Sequence, residues 1–260
     1  TTTDHMNVNI LLLFQPAEES PGAAKDVVAS GLLEHYHVEA IYGLHLMPMF
    51  DFGTLISKPG PMMAQCGEIN ITIHGKEAHA GTPEEGIDSI VLAAELIQNY
   101  QTIVSRKVSP FSPVVLNIGT IQGGQARNSV AGKVIMTGTL RCYDEKVFSD
   151  VVKQMAIVNQ ALELKGCQID FDCEPMYPPL INDDNLFQLA QKVTDIDVLS
   201  TPLMLAEDFA FYGRIVPSLF VYIGTQKGQQ TGLHTATFDF DESCLIKGVQ
   251  FYIQMIKAYE

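Results

Sequence analysis

The chain is predicted to be an α/β protein whose sheet domain is interrupted by a smaller α+β domain. Three observations carry this prediction. Apolar runs at 8–14 and 40–46 flank an amphipathic segment, giving strand, helix, strand. From about Gly67 the pattern changes to period-two alternation and elements in the order βαββαβ. After Tyr177-Pro178-Pro179 the first texture returns.

Residues 8–14 (VNILLLF) are apolar without alternation and closed by Gln15-Pro16, as expected of a buried strand in a parallel sheet. A polar turn at 17–21 follows. Residues 23–33 place Ala24, Val27, Val28, Leu32 and Leu33 on one helical face with Gly31 near the end. The run 40–46 (AIYGLHL) is the second strand, so the three elements predict a right-handed βαβ unit.

Residues 68–75 (EINITIHG) alternate as a strand with one wet face does. Thr82-Pro83-Glu84-Glu85 carries the signature of a helix start, and the helix is predicted over 83–104. Strands at 114–122 and 130–141, a helix over 144–164 and a strand at 168–174 complete a split-βαβ, ferredoxin-like pattern. This makes 63–176 a self-contained domain. Residues 1–62 and 177–260 are then two parts of one α/β domain, since either alone is too small to close a core. The second part carries a helix at 184–194, a strand at 219–224 and a closing helix at 241–259.

With 260 residues, 47% hydrophobic and 18% charged, the chain can bury such cores and is not intrinsically disordered. Sixteen basic against 30 acidic residues give a net charge of −14, which repels phosphate backbones and anionic lipid. Nucleic acid and membrane are therefore not expected partners, and no apolar run approaches the roughly 20 residues of a membrane span. Cys66, Cys142, Cys167, Cys173 and Cys244 form no C-x-x-C pair, so neither a disulfide framework nor a zinc knuckle is expected and a reducing, cytoplasmic location is. The opening Thr1-Thr2-Thr3-Asp4 reads like a piece starting mid-domain.

The candidate chemistry lies in loops and strand ends. Glu18 and Glu19 follow the first apolar run, where open α/β sheets place their sites; one carboxylate can bind a metal while its neighbour acts as base, or the pair can be an acidic turn serving the next helix. His45 ends an apolar strand and is a ligand or a satisfied core histidine. His234, in Gly232-Leu233-His234, is a ligand or an ordinary loop histidine. His79 stands alone in the small-residue stretch Gly75-Lys76-Glu77-Ala78-His79-Ala80-Gly81, a setting that presents an imidazole for use or holds an ordinary surface histidine. The glycine-rich stretch 119–125 lacks the Lys-Ser/Thr of a phosphate loop. Asn128 and Arg141 are candidate substrate contacts. Glu207-Asp208 offers a ligand, a group supporting one, or a helix cap.

Together these pieces resemble the amidohydrolase branch of the M20 metallopeptidase family, which includes aminoacylases, hippurate hydrolases and N-acetyldiaminopimelate deacetylases. The most specific match is Phe14-Gln15-Pro16-Ala17-Glu18-Glu19. Gly43-Leu44-His45, Gly75-Lys76-x-x-His79-Ala80, Ile118-Gly119-Thr120-Ile121-x-Gly123-Gly124, Asn128, Gly138-Thr139-x-Arg141, Glu207-Asp208-Phe209 and Gly232-Leu233-His234 follow in the family's order, across essentially the whole chain.

The resemblance implies a zinc-exopeptidase-type catalytic domain, N-terminally incomplete, with an inserted ferredoxin-like lid that forms a homodimer. It also implies two divalent metal ions (Zn, Mn, Co or Ni). In it Glu18 is the general base toward a metal-activated water, Glu19, His45 and His234 are metal ligands, His79 assists at the substrate carbonyl, and Asn128 and Arg141 hold the carboxylate side of the substrate. The expected reaction is hydrolysis of the amide of N-acyl, above all N-acetyl, amino acids. Dipeptidase or carboxypeptidase action, or an inactive dimerising module, are the alternatives. One part of the pattern is not matched. The Cys-Gly-His-Asp-x-His-like motif before the first strand has no counterpart, Asp4 and His5 being too close to that strand. Three ligands are too few for two metals, so this segment alone is expected to be inactive.

Overall fold

The computed structural model describes residues 8–19, 22–228 and 232–259, which divide into two units. Asp4 and His5 lie outside the described residues. The first unit comprises Thr1–Met63, Leu180–Leu203 and Glu207–Glu260; the second comprises Ala64–Pro179 with Met204–Ala206.

The first unit is built on a mixed four-stranded sheet. Ile41–Asp51 pairs in parallel with Ser218–Gln226, which pairs antiparallel with Leu55–Ser57, itself parallel to Asp197–Val198. Ser218–Gln226 is buried along nearly its whole length, which its continuous apolar run anticipates. Its side chains alternate between two cores. Leu219, Val221 and Ile223 meet Leu186, Phe187, Phe251 and Met255 on one face, while Phe220 and Tyr222 meet Ala24, Phe209 and Tyr212 on the other. Ile41–Asp51 follows the same alternation: Tyr42, Leu44 and Leu46 join the first core, and His45 stands edge-on to Tyr222 on the side of the second. The strand runs five residues past the predicted end at Leu46.

Two expectations fail here. Residues 8–14 form no strand: Leu12 is 73% and Phe14 89% exposed, and only Leu13 packs on the second core. The predicted βαβ unit is therefore not formed among the described residues. An apolar run is necessary for a buried strand but does not suffice, because a strand exists only where a neighbour accepts its ladder of hydrogen bonds. Ile41–Asp51 shares its ladder with Ser218–Gln226 alone among the described residues. The helix predicted over 23–33 is broken into Ala24–Ala29 and Leu32–His35, since Gly31 takes φ +72° between them. In the C-terminal part, a helix at Asp184–Val193 is capped by Asp183. The last predicted helix opens as a short 3-10 turn at Glu242–Cys244 and continues as Leu245–Lys257.

In the second unit an antiparallel sheet in the order Val114–Gly123, Lys133–Cys142, Gln65–His74, Gln168–Tyr177 carries two helices on one face. Ile69, Ile71 and Ile73 point into that core and Glu68 and Asn70 away from it, the alternation seen in the sequence. The helix Glu145–Glu163 is capped by Asp144, whose carboxylate accepts from the Val147 N–H. The other helix starts later than predicted. Pro83–Glu85 is one 3-10 turn, extended Gly86 ends it, and Ser89–Arg106 is capped by Asp88, not Thr82. The break arises because Ile87 and Lys76 exchange two backbone hydrogen bonds, pulling 86–88 into extended form. The strand predicted at 130–141 is likewise divided: Ser129–Val130 pairs with Ala78–His79, and Lys133–Cys142 enters the main sheet. All five cysteines are free and buried, and no helix among the described residues is long and apolar enough to cross a membrane.

Candidate metal and acid–base site

Six side chains of the first unit converge: Glu18, Glu19, His45, Glu207, Asp208 and His234. Glu18 and Glu19 sit on a turn between the irregular segment 8–17 and the helix Ala24–Ala29, not at the end of a strand as expected. Nδ1 of His234 lies 3.5 Å from the Glu19 carboxylate. His234 itself takes φ +60°, an uncommon conformation for a residue with a side chain. Two of the three ligands that the resemblance names are thus neighbours.

His45 is the third. Its Nδ1 is 2.6 Å from the Leu46 carbonyl, and because a carbonyl only accepts, Nδ1 carries the proton and Nε2 keeps its lone pair. Metal-binding histidines have this arrangement, one nitrogen tied to a backbone oxygen and the other left to ligate. Burial lowers the His45 pKa, which keeps the ring neutral as a ligand must be, against a smaller opposing pull from the Leu46 carbonyl and Glu19. Gly43, two residues earlier on the same side of the strand, has the Phe209 and Phe220 rings 2.7–2.8 Å from where a Cβ would stand. The smallest residue there lets Phe209, and with it the Glu207-Asp208 step, approach the strand that carries His45.

Glu18, Glu207 and Asp208 present carboxylate oxygens within 4.8 Å of one another. Burial raises the Glu18 pKa, and the negative charges of Glu19 and Asp208 raise it further, with His234 opposing. Asp208 is 1% exposed, and burial raises its pKa too, while the Ala24 N–H and the Gln15 side chain pull it down. Glu207 is pushed up to about 8 by burial and then by the nearby Glu18 charge. A carboxyl raised this far holds a proton at neutral pH, and a second carboxyl beside it supplies the acceptor for that proton.

This makes a stability prediction for the metal-free protein. Folded Glu207 keeps its proton to about pH 8, whereas the unfolded chain releases it near 4.5. The stabilisation is present in full below about 4.5 and disappears as pH rises through about 8. It amounts to something on the order of 5 kcal/mol. Thermal melts in the presence of a chelator are expected to show this loss for the wild type and a flatter profile for Glu207→Gln; profiles of equal slope contradict it.

His79 and Asn128 belong to the second unit and are adjacent there. The Ala80 N–H donates to the Asn128 carbonyl, and Ala78–His79 pairs with Ser129–Val130. The exposed His79 ring accepts at Nδ1 from the Gly81 N–H at 3.0 Å, so Nε2 carries its proton. Arg141, in Lys133–Cys142, donates from Nη1 to the Met204 carbonyl at 2.6 Å. Thus the structure gathers Glu18, Glu19, His45 and His234 in one unit, and His79 and Asn128 in the other. The residues that sequence reasoning gave no role are Gln15 and Tyr212, described below; Gln15 stood in the matched motif, but nothing in its neighbours revealed its contacts.

The mixed α/β fold gathers imidazole and carboxylate groups of the types that bind divalent metals. Residues 2–258 match the model of peptidase family M20/M25/M40, and the chain belongs to that family. It is 36% identical over 264 residues to an N-acetyl-L-cysteine deacetylase of Bacillus subtilis, covering 98% of this chain and 61% of the relative. It is 32% identical over 255 residues to an N-acetyldiaminopimelate deacetylase of Exiguobacterium sibiricum, covering 96% and 68%. Among solved structures, a dinuclear metal-binding peptidase of the M20 family from Bacillus subtilis superimposes with a TM-score of 0.75 at 27% identity, over 94% of this chain and 63% of that one. The chain therefore spans about two thirds of the length of the proteins it resembles.

Proposed function

We propose that the protein hydrolyses the amide bond of N-acyl, above all N-acetyl, amino acids, with Glu18 as general base. The observation that carries this is a half-buried carboxyl of raised pKa beside Glu19 and His234, with His45 near that pair and its Nδ1 tied to the Leu46 carbonyl so that Nε2 keeps its lone pair. The donor set fits divalent metals, since imidazole and carboxylate suit Zn, Mn, Co and Ni alike. Such ions, held by Glu19, His45 and His234, would polarise the scissile carbonyl and acidify the attacking water. Glu18 takes the proton from that water and passes it to the leaving amine nitrogen. His79 offers its Nε2–H to the carbonyl oxygen as negative charge develops, and Asn128 and Arg141 bind the carboxylate side of the substrate. The deacetylase relatives support an N-acetyl substrate. A dipeptidase is the second reading, favoured by the solved neighbour described as a peptidase.

The test is a substrate panel. The polypeptide as its own cells make it is stripped with a chelator, reloaded in turn with Zn, Mn, Co and Ni, and assayed on N-acetyl amino acids and on dipeptides. Release of acetate at least about tenfold faster than dipeptide cleavage, lost on chelation, is expected; a tenfold gap is about 1.4 kcal/mol of transition-state preference. Dipeptide cleavage without acetate release establishes the second reading, and activity that survives chelation sinks both.

A further inference from the structure

The loop that carries Glu18 and Glu19 is held at both ends by one carboxylate oxygen. Oδ2 of Asp208 accepts from Nε2 of Gln15 at 2.6 Å, three residues before Glu18, and from the Ala24 N–H at 3.0 Å, five residues after Glu19. The same Gln15 amide is gripped from its other side, since the Tyr212 hydroxyl donates to Oε1 at 2.6 Å. Only one orientation of the amide satisfies both partners: turned over, its oxygen would face the Asp208 carboxylate and its NH2 the hydroxyl proton. Asp208 and Tyr212 lie four residues apart on one short 3-10 turn, Asp208–Arg214, and both are almost wholly buried.

Between the two fastened ends the backbone is unusual. Ala17 takes φ +58°, a left-handed conformation that costs a residue with a Cβ about 1 kcal/mol or more, and its carbonyl accepts from the Gly22 N–H at 2.9 Å. Such a conformation persists only where the surroundings over-determine it. The helix that follows, Ala24–Ala29, has no side-chain cap of its own, so Asp208 supplies from a distant part of the chain what a local cap would. Glu18 stands between these two fastened ends, so hydrogen bonds on either side of it help to set where its carboxylate lies.

We infer that Asp208, with Tyr212 and Gln15, forms a bracket that positions the Glu18–Glu19 loop, and that this is the purpose of the buried Asp-x-x-x-Tyr spacing. Asp208 is a positioning residue in this role. The inference rests on the proposed use of Glu18 for its kinetic consequence but not for its structural one.

The experiment measures two things on Asp208→Asn and Tyr212→Phe in the full polypeptide. The first is amide hydrogen exchange of the metal-free protein. Exchange in the peptide covering 15–24 is expected to rise at least about tenfold in each variant while that of Ile41–Asp51 is unchanged, because local opening is released without global unfolding. The second is steady-state kinetics. The loss is expected in kcat, about 10- to 100-fold, with KM within about threefold, as when a reacting group is held slightly out of place. Wild-type exchange at 15–24 in both variants overturns the bracket. So does a rise in exchange spread evenly over the first unit, which marks Asp208 and Tyr212 as ordinary core groups. Tyr212→Phe loses one hydroxyl and keeps the ring, so it reports even where Asp208→Asn fails to fold. A fully active Glu18→Gln removes the proposed function and leaves the exchange prediction standing. An inactive Glu18→Gln beside Asp208→Asn and Tyr212→Phe of wild-type kcat and exchange removes the bracket alone.

Discussion

Glu18→Gln is expected to lower kcat for amide hydrolysis by at least about 10³-fold, with the fold intact and bound metal unchanged. Gln matches Glu in shape but cannot take a proton from water, and general-base catalysis typically contributes about 10²–10⁴-fold. The surroundings of Glu18 make the comparison clean. Its carboxylate is crowded by Glu207 and Asp208, and its pKa is raised by burial and then by the charges of Glu19 and Asp208. Removing that charge relieves repulsion, so the variant should melt no lower than wild type. Loss of activity then cannot be put down to unfolding. Circular dichroism, metal analysis and steady-state kinetics on the same preparation check all of this. A Gln variant retaining a tenth or more of wild-type kcat means that Glu18 is not the base.

The second large effect concerns stability. Gly224→Ala is expected to destabilise the first unit by at least about 4 kcal/mol, beyond the range of ordinary point substitutions. Gly224 lies in the central strand opposite Met47, where the register of Ile41–Asp51 shifts before Asp51. Its N–H donates to the Thr54 carbonyl and its own carbonyl accepts from the Gly53 N–H, both at 2.9 Å, so the turn at 51–54 is strapped against the strand. A Cβ there would stand 2.0 Å from the Asp51 carbonyl oxygen and 2.8 Å from that of Phe50. Both are backbone atoms and cannot rotate away as a side chain could. Relief requires breaking the two straps or shifting a strand that packs on both cores. A fall in Tm of about 10 °C, or insoluble protein, is expected. A soluble variant melting within about 2 °C of wild type would show that the turn yields far more easily than its hydrogen bonds suggest.

The sequence by itself determined the elements whose pattern and pairing agree. In the second unit, Ile69, Ile71 and Ile73 alternate with polar residues, and Asp144 opens the helix at Glu145 as its cap position requires. There the hydrophobic period and the local capping chemistry ask for the same structure, and nothing distant contradicts them. The amphipathic helices Asp184–Val193 and Leu245–Lys257, and the apolar run 219–223 within the strand Ser218–Gln226, were legible for the same reason. The motifs also singled out Glu18, Glu19, His45 and His234, which the fold brings near one another, because carboxylate and imidazole groups declare themselves by type.

What only the tertiary structure decided is pairing. The run 8–14 has the composition of a buried strand, yet it lies open because strand formation depends on a neighbour that composition does not specify. The helix predicted from Pro83 begins at Ser89 because Ile87 is claimed by Lys76 across the loop. Above all, the contact of Gln15 with Asp208 joins residues 193 apart in the chain. A hydrogen bond at that separation leaves no periodicity and no local spacing to read. Its existence is settled by how the 3-10 turn bearing Asp208 and Tyr212 packs beside Ala24 and against the sheet, and that packing is a property of the folded core.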